Sequence, residues 1–244
     1  MNKTLKQPLS ISPDFSDRDG LSLHNPDHEK LQNLRRQISE CRICKEEFGF
    51  EPRPVTWGNP DAKILHISQA PGRKVHEIGR PFSDLSGKTL RNDWYQISEE
   101  DFYDPDQFYF TTMAHCFPGK GNRGNYDRKP PKRCFDLWTR KEIELMKDCQ
   151  LILVVGSEAA SRLFPNRKLS ELVFEDLSLN NKPCYVLPHP SPLNRIWLKN
   201  HPEFEKSRLP EIRKRIHEVL SSDSEEKEKD QEKDGLAEQK TEVR

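Results

Sequence analysis

The sequence predicts an α/β protein: a three-layer α/β/α sandwich around a central four-stranded parallel sheet. Three observations carry that expectation. Four short apolar runs of strand length recur along the chain, and helix-length segments separate them. About 190 residues remain once two polar ends are set aside, enough for one domain with a real interior. Strands that alternate with helices pair in parallel, and both faces of their sheet are covered.

The strands are expected at Lys63 to Ser68 (KILHIS), Phe108 to Thr112 (FYFTT), Leu151 to Val155 (LILVV) and Cys184 to Leu187 (CYVL), each bounded by polar or turn residues. Helices are expected at His28 to Glu40, around Leu85 to Ile97, and at Pro131 to Lys147, where Phe135, Trp138, Ile143 and Met146 recur on one face. Two more follow, at Ser157 to Phe164 and Leu209 to Leu220. No internal repeat interrupts the pattern.

Residues 221–244 hold nine acids and five bases with almost no apolar side chain, and residues 1–26 scatter three bases and three acids among Pro, Ser and Asn. Both ends are read as disordered, because neither buries enough surface to order itself. The chain as a whole balances 40 bases against 40 acids. Residues 27–220, the expected domain, carry four more bases than acids. That excess suits an anionic partner, and equally a plain solvated face. No run approaches the roughly 18 apolar residues of a membrane span, and the N-terminus lacks the apolar core of a signal peptide. The expectation is a cytoplasmic monomer with no membrane contact.

Ligands of an open parallel sheet bind beyond the carboxyl ends of the strands. The first strand is followed there by Gln69-Ala70-Pro71-Gly72, a turn that exposes backbone N–H groups, and the last by His189-Pro190-Ser191-Pro192-Leu193-Asn194-Arg195. The second loop presents an imidazole, a hydroxyl, an aliphatic wedge and a guanidinium on a stiff frame. Ser191 and Arg195 suit phosphates, Leu193 a base stack and His189 a polar base edge. A rigid turn with an incidental histidine is the alternative. Gly156-Ser157, after the third strand, reads as a helix start alone.

These two loops, with Gly79-Arg80-Pro81-Phe82 between them, resemble the active-site motifs of the uracil-DNA glycosylase superfamily over most of residues 38–198. The Gly-Arg-Pro-Phe element looks most like the iron-sulfur family 4 enzymes, and His-Pro-Ser-Pro-Leu is similar to the second motif of the family 1 enzymes. The resemblance implies hydrolysis of the N-glycosidic bond of uracil, or a related deaminated base, in DNA. It implies that His189 donates a hydrogen bond to the uracil as charge develops there and that Phe82 stacks on the base. Backbone N–H groups around Gln69 and Ala70 would hold the other base oxygen, Pro71 and Gly72 would bind the substrate beside them, and Leu193 would fill the gap left in the duplex. A core aromatic is the other reading of Phe82.

Cys41 and Cys44 form a C-x2-C pair, 71 residues separate them from Cys116, and 17 more lie before Cys134. The wide second spacing is a poor match to zinc fingers and to ferredoxin runs. It resembles the four-cysteine pattern of the iron-sulfur uracil-DNA glycosylases, which implies a [4Fe-4S] cluster on Cys41, Cys44, Cys116 and Cys134. Zinc in the same cage is the alternative. Cys149 and Cys184 flank or begin apolar strands and read as ordinary buried cysteines. Between the last two proposed ligands, residues 117–132 interleave Lys120, Arg123, Arg128, Lys129 and Lys132 with Tyr126 against the single acid Asp127. Such a loop suits a phosphate backbone and a stacked base; Lys120 and Arg123 are taken as DNA contacts.

The chain departs from its relatives at the water-activating position. Family 1 enzymes have aspartate where Ala70 stands and family 4 enzymes glutamate where Gln69 stands. An amide orients water but does not take its proton. His76, Glu77 and Asp84 are the substitutes to consider, with His76 and Gln69 assigned catalytic roles beside His189. Thr112 stands where an asparagine often reads the uracil edge. Two other functions remain open: a non-catalytic DNA-binding relative, and a thiolate-metal protein of redox or sensing function.

Overall fold

The computed structural model describes residues 25–121 and 126–222. Of the ends expected to be disordered, 1–26 and 221–244, residues 1–24 and 223–244 lie outside the described residues, whereas Asn25 and Pro26 start a helix and Ser221 and Ser222 end one. The chain enters at α1 (Pro26–Ser39), where Asn25 caps the helix by accepting from the Asp27 N–H at 3.0 Å and Leu31, Leu34 and Ile38 repeat on the buried face. The first strand, β1 (Ile64–Ser68), leads into α2 (Arg73–Ile78) and α3 (Leu85–Lys88), which runs on through a π-helical stretch, Thr89–Tyr95. Then follow β2 (Phe108–Thr112) and one helical run, α4, made of Lys132–Cys134, Phe135–Thr139 and Arg140–Leu145. The remainder is β3 (Leu151–Val155), α5 (Ser157–Leu163), β4 (Leu177–Leu179), β5 (Lys182–Leu187), α6 (Arg195–Asn200) and α7, which includes Phe204–Arg208 and residues 209–222.

The sheet order is β2-β1-β3-β5-β4. Four strands are parallel, as expected, and a fifth is added: β4 pairs antiparallel with β5. Asn180 and Asn181, with φ of 51° and 61°, form the two-residue turn between them. Asparagine tolerates that left-handed conformation, which matches the twist of a hairpin. A short strand at the sheet edge, only half buried, shows no apolar run in the sequence.

Alternation along the strands sorts the layers. His66 of β1 and Phe110 of β2 meet Phe82, and His66 also meets Tyr95, on one face. On the other, Tyr109 meets Arg35 of α1 and Glu142 of α4. Every residue of β1 and β3 is buried, as a parallel sheet covered on both sides requires. Cys149 and Cys184 are buried free thiols. No helix among the described residues is long and apolar enough to cross a membrane.

Candidate active site

Beyond the carboxyl ends of β1, β2 and β5 lies a cleft of about 520 Å³, part of it open to solvent. Gln69, Ala70, Pro71 and Gly72 form one wall, Phe82 and Asp84 another, and Thr112 and His189 close the rest. The two loops that stand far apart in sequence therefore face one space.

His189 is mostly buried in this wall. The backbone N–H of Ser191 donates to its Nδ1 at 3.2 Å, and Asn194 Nδ2 donates to its carbonyl at 3.1 Å. A ring nitrogen that accepts carries no proton, so the neutral imidazole bears its proton on Nε2. Burial pushes the His189 pKa below its ordinary value, and Asp84 partly opposes the shift. The ring passes close to Gly156, whose φ is 92°; a Cβ there would lie 3.4 Å from His189 Cδ2.

Phe82 is held in the left-handed region at φ 51°, which costs a residue without glycine's freedom about 1 kcal/mol or more. The Tyr103 hydroxyl, at 3.0 Å from the carbonyls of both Pro81 and Phe82, fixes the strained turn. One side of the ring meets His66 edge-on at 4.9 Å between centroids, while the ring also lines the cleft. Phe82 is thus both packed on the core and exposed to the cleft. Thr112 donates its hydroxyl to the Ala114 carbonyl at 2.9 Å, so toward the cleft its oxygen is an acceptor only.

Asp84 is the carboxylate among the described lining residues. Its Oδ1 caps α3 by accepting from Gly87 N–H at 3.0 Å, and Oδ2 faces the Gly72 wall. His76 does not line the cleft. On α2 it sits one position past Val75, which does, and so turns to another side, packing against Phe50 and Phe117 at 5.6 and 6.0 Å between centroids. Glu77 is also away from the cleft, beside Arg73 at 3.5 Å.

Leu193 is 73% exposed and Ile196, three residues on, is 75% exposed. Sequence reading singled out Leu193 and Arg195 but passed over Ile196, although its spacing from Leu193 puts the two on one helical face. Ser191 is half-buried and Arg195 exposed. Lys120 is engaged with Asp127 at 2.7 Å, and Arg123 lies outside the described residues.

Cys41, Cys44, Cys116 and Cys134 line a second cleft, of about 340 Å³, with apolar walls that include Phe48 and Trp138. All four are free thiols. The Cys116 and Cys134 thiols are pushed up to about 12, by burial first and then by the neighbouring cysteines. Thiols that raise one another in this way need positive charge between them before they ionise. The His115 N–H donates to Cys134 Sγ at 3.5 Å and Arg133 to Cys44 Sγ at 3.2 Å.

A buried charge that sequence reading missed lies behind this cleft. Glu142, fully buried on α4, accepts from Tyr109 at 2.7 Å and Thr111 at 2.6 Å, and lies 3.0 Å from His115 Nε2. That last contact is an ion pair when His115 is protonated. Against its own burial, Glu142 is held below the usual carboxylate range by His115; against burial in turn, His115 is held above its ordinary value by Glu142. An acid inside the apolar face of a predicted helix was the available signal.

Two loop motifs far apart in sequence thus close one cleft at the strand ends of a mostly parallel α/β sandwich. Comparison with known proteins gives the family. The profile of the uracil DNA glycosylase superfamily matches residues 55–213, and the chain belongs to that superfamily. A Type-4 uracil-DNA glycosylase of Archaeoglobus fulgidus is 28% identical over 155 residues, which are 62% of this chain and 70% of that protein. Those of Saccharolobus solfataricus and Sulfurisphaera tokodaii are 27% and 30% identical, over 56% and 37% of this chain and 60% and 40% of their own. The chain thus spans between 40% and 70% of the length of these relatives.

Proposed function

We propose that the protein is a DNA glycosylase that hydrolyses the N-glycosidic bond of uracil, or of a related deaminated base, and leaves an abasic site. The observation that carries this reading is that His189, its Nδ1 accepting from the Ser191 N–H, and Phe82 line one cleft. Extruding a nucleotide from the duplex costs a few kcal/mol. Leu193 and Ile196, exposed beyond the His189 loop, supply an apolar wedge for the vacated stack. Phe82 offers its ring to the base. As the bond breaks, negative charge grows on the departing base and positive charge on the sugar. His189 Nε2–H donates to the base oxygen, and the Asp84 carboxylate stabilises the sugar and orients the incoming water. Asp84 in this way takes the place of the carboxylate absent at Gln69 and Ala70. Gln69, Pro71 and Gly72 shape the wall, while Thr112 accepts an N–H from the base edge.

The four cysteines are proposed to hold a [4Fe-4S] cluster. Four thiols gathered on one apolar cleft, with 17 residues between the last two where zinc fingers have a second close pair, suit such a cluster. Such a cluster supplies charge compensation to the thiolates and ties α1 to α4.

Incubation with uracil-containing single- and double-stranded oligonucleotides tests the reading: alkali-sensitive sites at uracil and none at thymine are expected. The missing carboxylate at positions 69 and 70 favours one rival, a DNA-binding relative without turnover. Binding without abasic sites would select it.

A further inference from the structure

Glu142 has no part in the chemistry above, yet burying a carboxylate is costly unless each oxygen is paired. Its partners come from two places. Tyr109 and Thr111 are alternate residues of β2 and face away from the cleft that Phe110 and Thr112 line. His115 comes from the segment that follows β2. That segment, residues 113–116, is buried up to His115 and half-buried at Cys116, and is bonded to both clefts. Met113 N–H donates to the Ser68 carbonyl at 2.8 Å and Ala114 N–H to the Gln69 carbonyl at 3.2 Å. The next residue, His115, donates its N–H to Cys134 Sγ, and its carbonyl accepts from Val55 at 2.9 Å. Cys116 then enters the four-cysteine cleft. Four consecutive residues therefore span the distance from the Gln69 wall to the cysteines, and one carboxylate grips their middle.

We infer that Glu142 is a positioning residue for both clefts: through His115 it sets the segment 113–116, and so couples the filling of the four-cysteine cleft to the shape of the base cleft. A carboxylate is an acceptor at both oxygens and suits the two hydroxyl donors, with the His115 ring nitrogen 3.0 Å from Oε2. Glutamine has the same shape but replaces one acceptor oxygen by an NH2, so the Glu142→Gln protein weakens its hold on β2 or on the Thr111–His115 side without leaving a hole. The coupling to base binding rests on the glycosylase reading; the coupling to the cysteines and to the Gln69 backbone does not.

The test uses the full chain as isolated with its metal. Three quantities are compared between wild type, Glu142→Gln and the milder Thr111→Val: the rate at which iron or zinc passes to a chelator, followed by the visible spectrum; amide exchange at Met113 and Ala114; and KM and kcat on a uracil-containing single strand. Glu142→Gln is expected to speed metal release about tenfold or more, the range for removing a partner behind a metal ligand. It should also accelerate exchange at both amides and raise KM more than it lowers kcat. Thr111→Val should move all three the same way by less. Amides of Ile212 and Ile216 on α7 report general loosening and should stay unchanged. Faster metal release with unaltered Met113 and Ala114 exchange would overturn the inference, as would unaltered release, and so would an equal acceleration at α7. Should Glu142→Gln not fold, Thr111→Val decides on the same criteria. A wild type inert toward uracil sinks the glycosylase reading and leaves the release and exchange measurements to judge this one.

Discussion

A Cβ built on Gly87 would lie 1.7 Å from the carbonyl oxygen of Phe82 and 2.7 Å from its Cβ. The two backbones touch there, and the Tyr103 hydroxyl closes the turn from the other side. No rotamer change relieves a clash with backbone. Gly87→Ala must move the Phe82 turn, at a cost of about 1–3 kcal/mol in stability. Affinity for a uracil-containing oligonucleotide should fall with it, and a binding titration beside a urea melt checks both. An unchanged affinity would remove Phe82 from the base site.

His189 should act neutral. Its pKa is lowered by burial, with Asp84 opposing, so the neutral form holds at every pH above its ordinary value of 6.5. The acid limb of the excision profile should therefore have its midpoint below 6.5, and a loss already complete at neutral pH would contradict a neutral donor. His189→Ala should cost about 2–4 kcal/mol of transition-state stabilisation, as for a lost oxyanion donor.

Asp84→Asn should lower kcat on single-stranded uracil substrate while leaving thermal stability within about 1–2 kcal/mol, since asparagine still caps α3. An unaffected kcat would show that the carboxylate takes no part.

Leu193→Ala and Ile196→Ala should each weaken action on duplex more than on single strands, because only a duplex has a stack to hold open. Comparing kcat/KM on the two substrates checks this. Equal losses would assign both side chains to general DNA contact.

Acid should destabilise the fold through His66. Burial drives this imidazole down to about 3, while in the unfolded chain it titrates near 6.5. Between those values the unfolded state binds a proton that the folded state refuses, so stability is present above 6.5 and is lost as pH falls, by up to about 1.4 kcal/mol per pH unit. Urea midpoints at pH 7 and pH 5 measure the loss; His66→Phe should show a smaller one.

Much of the fold was legible because strands and helices announce themselves locally. Phe108–Thr112 and Leu151–Val155 have the limits expected from their apolar runs, and β1 and β5 differ by one or two residues. The hairpin strand β4 was missed, though Asn180-Asn181 marks its turn. The helix expected at 85–97 is there, with a π-helical stretch that buries Leu90, Trp94 and Tyr95. At the site, the loops were legible as motifs after strand ends. Which of His76, Glu77 and Asp84 reaches the cleft was not, since all three lie within nine residues of one another and the path of a loop follows no period.

The sequence alone determined the four parallel strands and the loops at their ends, because each is written in residues close together, and its resemblance to a known family put the four cysteines in one set. The tertiary structure decided that Gln69 and His189 share a cleft, that Asp84 and not His76 faces it, and that Glu142 grips the segment between the two clefts. Those meetings depend on sheet order and on packing between layers. The free energy of burying Glu142 beside Tyr109, Thr111 and His115 exists only once β2 and α4 have come together.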